Sequence, residues 1–436
     1  MRITVIGCGY LGTTQAAAMA ELGHEVLGIE IDPVKRQELA EGRVPFYEPG
    51  LSDLLSRHVA SGRLRFTDSY AEIADFGDLH FLCVGTPQMP ESLAADLSQV
   101  ESAVEMLAAH LTRPAVVVGK STVPVGTAER MAHRLVEGSP AGTDVLLAWS
   151  PEFLREGFAV EDSMHPDRIV LGVADGRAEK VLRDFYSPML DAGTPIVVTD
   201  FATAELVKVA ANAFLATKIS FMNAMAEVCE ASGADVVDLA DSLGYDARIG
   251  RRFLQAGIGF GGGCLPKDVR AFVHRAGELG AEDAMSFLRH IDDVNQRQRG
   301  RVVDVAQAMV GELAGSRIAV WGAAFKPDSD DVRDSPALSI AGALSLRGAQ
   351  VRVYDPRAND TARVAFPTLL YADSAVEACR EADLVLHLTE WPEFRTLTPA
   401  HLEGVVRRPQ LFDGRNVLDL DAWRSAGWTA RALGRR

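Results

Sequence analysis

The sequence predicts an α/β protein of two doubly wound domains joined by a central helical region with a long helix. Three observations carry that expectation. A short apolar strand, Ile3 to Ile6, runs straight into Gly7-Cys8-Gly9-Tyr10-Leu11-Gly12 and then into a helical stretch. The same strand pattern returns near residue 317. Between the two copies, Thr203 to Ala231 reads as one long helix whose apolar positions wrap around much of its surface. The expected division is 1–200, 201–300 and 301–436.

The first element pair is the most explicit. Thr13 to Leu22 is helical, Gly23 stops it, and Glu25 to Ile31 forms the next strand. In this strand–turn–helix context G-x-G-x-x-G is read as a Rossmann dinucleotide fingerprint, with an ordinary βα turn as the alternative. Gly7 makes the tight turn, Gly9 admits the pyrophosphate, Gly12 allows close packing, and Tyr10 and Leu11 lie in the same loop. The helix N-terminus offers amide donors to the phosphates. Glu30, ending the second strand, is placed for the ribose hydroxyls, and an acid there favours NAD over NADP. Asp32, two residues on and expected on the same face, is the alternative ribose ligand, with Lys35 just beyond it. Further strands at Leu79 to Val84, Ala115 to Val118 and Val145 to Ala148 end in Gly85-Thr86-Pro87, Lys120-Ser121-Thr122-Val123-Pro124 and Ser150-Pro151-Glu152. Ligands of such sheets bind outside the carboxyl ends of the strands, so these loops should face cofactor or substrate.

In the central region Lys208 and Asn212 are four apart and share a helix face. Taken from the helix alone they are solvated surface groups. The run from Gly257 to Asp268 places five glycines before Cys264, with Lys267 and Asp268 just after it. A glycine-rich turn around a packed thiol is one reading. A nucleophile is the favoured one, because glycines let backbone approach a ligand and a nearby cation favours the thiolate. Asp283 to Glu312 is a second helical region leading to the last domain.

There Arg317-Ile318-Ala319-Val320-Trp321-Gly322 echoes Arg2 to Gly7, the run from Arg347 to Pro356 echoes Leu22 to Pro33, and Asp383 to Leu388 echoes Asp78 to Cys83. Phe325-Lys326-Pro327 replaces the glycine fingerprint. A Rossmann-like domain that has exchanged its dinucleotide loop for cations suits a different phosphate-bearing ligand.

Composition narrows the class. The chain has 436 residues, 47% hydrophobic and 24% charged, with a formal net charge of −16. That balance argues against non-specific nucleic-acid or anionic-membrane binding. Five cysteines without a close-spaced framework fit a reducing cytoplasm, with Cys8, Cys83, Cys229 and Cys379 as inert fillers. Met1 to Gly7 enters a strand at once and has no signal-peptide pattern, and no apolar run reaches membrane-spanning length. No metal site is assigned.

These motifs together resemble the nucleotide-sugar 6-dehydrogenases that oxidise UDP-glucose or GDP-mannose to the uronate. The likeness runs end to end, through Gly7 to Gly12, Val44-Pro45-Phe46-Tyr47-Glu48-Pro49-Gly50-Leu51, Ser121 to Thr127, Pro151 to Gly157 and Pro166-Asp167-Arg168. It continues through the Lys208/Asn212 helix, the Cys264 loop, Phe325-Lys326-Pro327, Asp331-Val332-Arg333 and Asp413-Gly414-Arg415-Asn416. One departure is Ala224 after Asn223, where the family usually has Glu.

The resemblance implies an N-terminal NAD domain, a central dimerisation region and a C-terminal domain gripping the nucleotide. It implies two NAD molecules used in turn, with Cys264 forming a thiohemiacetal and then a thioester. Lys208, Asn212 and Asp268 would surround the reacting oxygen, and Glu152 with Thr122 would activate the hydrolytic water. Phe153, Leu154, Glu156, Phe260 and Gly261 would line the sugar, the glycine backbone making part of its pocket. Lys326 and Arg415 would anchor the nucleotide sugar, and Arg248 would reach the neighbouring subunit's sugar. Thr86, Thr122, Glu156, Lys267 and Arg333 would approach the NAD. The expected substrate is UDP-glucose, on general likeness to bacterial UDP-glucose enzymes, with GDP-mannose or another nucleotide sugar as the alternative. The Gly-Gly-Gly-Cys form differs from that of relatives acting on N-acetylmannosamine sugars. Two rivals remain at this point, a two-electron hydroxyacid-type dehydrogenase with a structural Cys264 and a nucleotide-sugar-binding regulator without turnover.

Overall fold

The computed structural model describes residues 1–435. It divides into two compact units, Met1–Ala211 with Arg270–Leu279, and Asn212–Val269 with the remainder from Gly280. Two of the division points fall inside helices, Phe201–Ser232 and Leu265–Glu278.

The first unit holds β1 (Arg2–Ile6), β2 (Glu25–Ile29), β3 (Leu64–Thr67), β4 (Leu79–Leu82), β5 (Ala115–Gly119), β6 (Val145–Trp149), β7 (Ile169–Val173) and β8 (Ile196–Thr199). They form one sheet in the order β3-β2-β1-β4-β5-β6-β7-β8, parallel except where β7 meets β6. Strands such as Ala115–Gly119 are buried throughout, as a sheet covered on both faces requires. The order reverses beside β1, so the carboxyl ends of β1 and β4 open a crevice at the fingerprint loop.

β2 stops at Ile29, two residues before the expected Ile31. Asp32 is therefore not on the strand: it caps the helix Pro33–Ala40, accepting from the Val34 and Lys35 amides. A capping acid followed by proline at the first helical position is a strong helix-start signal, and here it overrides strand alternation.

The second unit repeats the design with β9 (Arg317–Trp321), β10 (Gln350–Tyr354), β11 (Leu370–Tyr371), β12 (Leu384–His387), β13 (Gln410–Asp413) and β14 (Thr429–Ala432). All pairings are parallel, in the order β11-β10-β9-β12-β13-β14. Gly322 turns with φ +106°, as Gly7 does with φ +89°. The acid ending β10 behaves differently from its counterpart Glu30. Asp355 is 2% exposed and accepts from the Ala323 and Ala324 amides at 2.8 and 3.0 Å and from the Trp391 indole at 3.0 Å. The loop that would hold a dinucleotide closes on a carboxylate of its own chain.

The helical region expected over Asp283 to Glu312 consists of two helices, Glu282–Met285 and Phe287–Val310, the latter ended by Gly311 at φ +90°. A further helix, Leu265–Glu278, begins directly after Cys264. Among the described residues no helix is long and apolar enough to cross a membrane.

Candidate active site

In the first unit the three fingerprint glycines have different physical reasons. A Cβ on Gly7 would meet Val84 at 2.8 Å, and one on Gly12 would lie 1.9 Å from the Gly7 carbonyl. Gly9, capping the helix Tyr10–Glu21, meets nothing within 4 Å. Open space over a helix N-terminus suits a pyrophosphate. Leu11 packs on the sheet core. Glu30 is 7% exposed, bonded to the Asp32 amide and paired with Lys35 at 3.0 Å. These residues fit NAD. The Thr86 hydroxyl, beyond β4, donates to the Thr122 carbonyl at 2.8 Å and ties two of the expected loops together.

Beyond β6, Glu152 lies 3.2 Å from the Lys208 ammonium, both largely buried. Its other oxygen accepts from the Leu154 amide, folding the loop back on itself. Lys208 sits 5.5 Å from the Phe153 ring centre and Arg168 lies 3.7 Å above the same ring. One turn before Lys208, Glu205 accepts from the Gly126 and Ala128 amides at 2.7 and 2.6 Å. It fastens the Lys208 helix to the end of the Thr122 loop. Burial pushes its carboxyl up to about 7, although those amides pull the other way.

Glu48, 4% exposed, accepts from the Gly157 and Ala159 amides at 2.7 Å each and from the Tyr10 hydroxyl. Burial, then the bond to Glu48, then the charges of Glu48 and Glu156 push the Tyr10 hydroxyl far above its ordinary value. Glu156 thus stands near Tyr10.

In the second unit Asn212 donates to Asp268 at 2.7 Å, and the other Asp268 oxygen meets Lys267 at 2.6 Å. Asp268, 2% exposed, is one turn along the helix whose start follows Cys264, and its amide bonds the Cys264 carbonyl at 3.0 Å. A thiol at that end of a helix meets the positive pole of the backbone dipoles. Cys264 is exposed, whereas the other four cysteines are buried. Burial pushes Cys83 and Cys379 up to about 12 and raises Cys8 and Cys229.

The glycine run is held mainly by protein neighbours. A Cβ on Gly261 would meet the Asp334 carbonyl at 2.3 Å, on Gly262 the Phe325 ring at 2.8 Å, and on Gly263 the Arg333 guanidinium at 2.3 Å. These glycines admit close packing of the loop on its own unit, a reason beyond the expected sugar pocket. Asn295, fully buried, accepts from the Phe260 amide at 2.7 Å and donates to its carbonyl at 3.0 Å. Asn223 accepts from the Gly257 amide at 2.8 Å, and Gln298 donates to the Asn223 carbonyl.

The expected anchoring cations are engaged. Arg415 lies 3.2 Å from Glu390 and donates to the Leu388 and Phe325 carbonyls. Lys326 lies 5.5 Å from the Phe325 ring centre. Arg333 pairs with Asp331 and Arg248 with Asp246, both guanidinium groups mostly exposed. Asp413 accepts from the Arg415, Val417 and Leu418 amides and from buried His387, so it shapes the turn bearing Arg415. Among the described residues no cluster of His, Cys, Asp or Glu is arranged to hold a metal.

Three family models cover nearly the whole chain. Residues 1–190 match the NAD binding domain, 202–297 the central domain and 319–420 the UDP binding domain of one family. The chain belongs to the UDP-glucose/GDP-mannose dehydrogenase family. A UDP-glucose 6-dehydrogenase of Rhizobium meliloti is 43% identical, with 100% of both chains covered. One of Bacillus subtilis is 40% identical over 100% of this chain and 98% of the relative. A solved UDP-glucose dehydrogenase from Pyrobaculum islandicum superposes with TM-score 0.91 at 37% identity, covering 100% and 98%. This family member is an NAD-dependent nucleotide-sugar 6-dehydrogenase, and its first 190 residues are an NAD-binding domain.

Sequence reasoning missed Glu48, Glu205, Asn295 and Gln298. Glu48 lay inside a recognised motif without a role. Asn295 and Gln298, polar residues three apart on a helix, carried only a faint signal, since their partners lie 35 and 75 positions away.

Proposed function

We propose that this chain is a UDP-glucose 6-dehydrogenase, oxidising C6 of the glucose from alcohol to carboxylate with two NAD. The observation that carries the reading is the state of Cys264. It is the exposed cysteine of the five, it opens a helix, and Asp268 lies one turn on in contact with Asn212 and Lys267.

NAD, when bound, accepts a hydride from C6 in each of two steps. The chain's own groups do the remainder. Lys208 and Asn212 stabilise the developing oxyanion, and Asp268 with an ordered water takes the proton released at each oxidation. The Cys264 sulfur adds to the aldehyde carbon, which keeps the intermediate from escaping, and loss of the second hydride leaves a thioester. Water then adds to the carbonyl, the C–S bond breaks, and the thiolate leaves while Glu152, helped by Thr122, takes the proton of water. Phe153, Leu154, Glu156, Phe260 and Gly261 line the sugar, Lys326 and Arg415 hold the nucleotide sugar, and Lys267 and Arg333 approach the NAD with Thr86. The roles follow the chain: 1–200 for NAD, 201–300 for dimerisation and catalysis, 301–436 for the nucleotide.

A homodimer belongs to the same reading. Leu206, Phe214, Phe221 and Val228, seven or eight positions apart on the long helix, are 41–68% exposed, which supports a face covered by a second copy. Arg248 would then act on the sugar held by the partner. The reaction would run in the cytoplasm, where NAD and free thiols are found.

A panel of UDP- and GDP-sugars assayed for NADH release tests the proposal. Two NADH per uronate, greatest with UDP-glucose, is expected. One NADH per substrate would move the chain to a two-electron dehydrogenase, no turnover would make it a binding protein, and preference for GDP-mannose would change the substrate. Cys264→Ser should accumulate a covalent sugar ester visible by intact-protein mass, and Cys264→Ala should lose uronate formation with both affinities within a few-fold.

A further inference from the structure

Behind Glu152, within the first unit, lies a cavity of about 50 Å³. Lys120, Ser150, Ser163, Arg168 and Tyr186 line it together with Glu152. Two of these groups are buried donors short of acceptors. Ser163 is 5% exposed and its hydroxyl has no hydrogen-bond partner. Lys120 is 6% exposed, and among the described residues its ammonium has one hydrogen bond, to the Tyr186 hydroxyl at 3.4 Å. An ammonium has three N–H donors, and leaving buried donors unmatched costs about 1–3 kcal/mol each. Polar cavities of this size take water, with room for about two to four molecules, whereas cavities that stay dry are apolar.

We propose that this cavity is a water site that serves Glu152 in hydrolysis of the thioester, an inference that rests on the proposed role of Glu152 as the base of that step. Glu152 lines the cavity and Lys208 does not, so water in it reaches the carboxylate from within the first unit. When water adds to the thioester carbon and the C–S bond breaks, Glu152 takes one proton of that water, and the other ionises from the product acid into solvent, leaving carboxylate and thiolate. The cavity water, held by Lys120 and Ser163, accepts the Glu152 proton onward and restores the carboxylate for the next turnover. Lys120 and Ser163 are thus positioning residues that act through water on Glu152. The two hydride steps do not use them.

The test separates the half-reactions by pre-steady-state release of NADH. Ser163→Val removes the hydroxyl and narrows the cavity, Lys120→Met removes the ammonium at similar length, and Glu152→Gln is the reference. Both cavity variants should keep a burst of two NADH per site at the wild-type rate, then turn over at least about 10-fold more slowly. The thioester adduct should be visible by intact-protein mass, as in Glu152→Gln. Wild-type turnover without a burst in both cavity variants, while Glu152→Gln does give the burst, would overturn the cavity's role and leave Glu152 as the base. Loss of the burst itself in both cavity variants would also overturn it, because the residues would then serve folding or hydride transfer. Absence of burst and adduct in Glu152→Gln would refute the role of Glu152, and the cavity inference with it.

Discussion

Asn295→Ala is the perturbation whose cost can be worked most directly from geometry. Asn295 pairs with both backbone groups of Phe260, four residues before Cys264, and neither residue is more than 6% exposed. Truncation leaves the buried Phe260 amide without its 2.7 Å acceptor, a penalty of about 1–3 kcal/mol. The carbonyl loses the amide donor but keeps Arg299 at 3.4 Å, so its loss is about 1 kcal/mol. The expected destabilisation is therefore about 2–4 kcal/mol. For a unit of this size that lowers the melting temperature by about 4–16 °C, read by scanning calorimetry on the full chain. Loosening the loop also displaces Cys264, and misplacement of about 1 Å costs on the order of 10²-fold in rate. A melting temperature within about 2 °C of wild type, with kcat within about 2-fold, would refute the view that this amide holds the loop.

Glu205→Gln should change how stability depends on pH. The folded chain raises this carboxyl from 4.5 to about 7, so it binds the proton more tightly than the unfolded chain does. The wild-type contribution is therefore fully present below pH 4.5 and lost as pH rises through about 7. The wild type should lose melting temperature relative to the Gln variant over that window, and a difference independent of pH would reject the shift. Gly9→Ala and Gly12→Ala should separate ligand space from packing. The first weakens NAD binding with little change in stability, and the second, with its Cβ 1.9 Å from a carbonyl, destabilises the unit itself. Equal effects on NAD titration and on thermal unfolding would contradict that division. Phe214→Glu should convert the proposed dimer to monomer in sedimentation, and an unchanged dimer would move the interface elsewhere.

Much of the fold could be read because its signals are local. Gly7 to Gly12 sits between a strand and a helix, and the Arg317 to Gly322 repeat needs only side-by-side comparison. The candidate site could be proposed wherever motif and helix spacing sufficed, as for Cys264 followed by Asp268. Asp32 was misread because strand alternation was carried past Ile29, although Asp-Pro is itself a helix start. The helix Leu265–Glu278 was overlooked for a related reason: the glycines before it drew the reading toward a loop. Glu205 and Asn295 could not be found this way. Each is defined by backbone groups far off in sequence, and a polar residue on a helix does not name its distant partner.

Asp355 has a kinetic consequence. The second Rossmann-like unit satisfies its own loop amides with this carboxylate, so those donors are not offered to a second pyrophosphate. On the proposed function both oxidations then draw on one NAD site in turn. Reduced cofactor has to depart and a fresh molecule arrive while the half-oxidised sugar waits. On the proposed chemistry the bond to Cys264 is what makes that wait safe, so the covalent tether serves as a timing device as well as a chemical one.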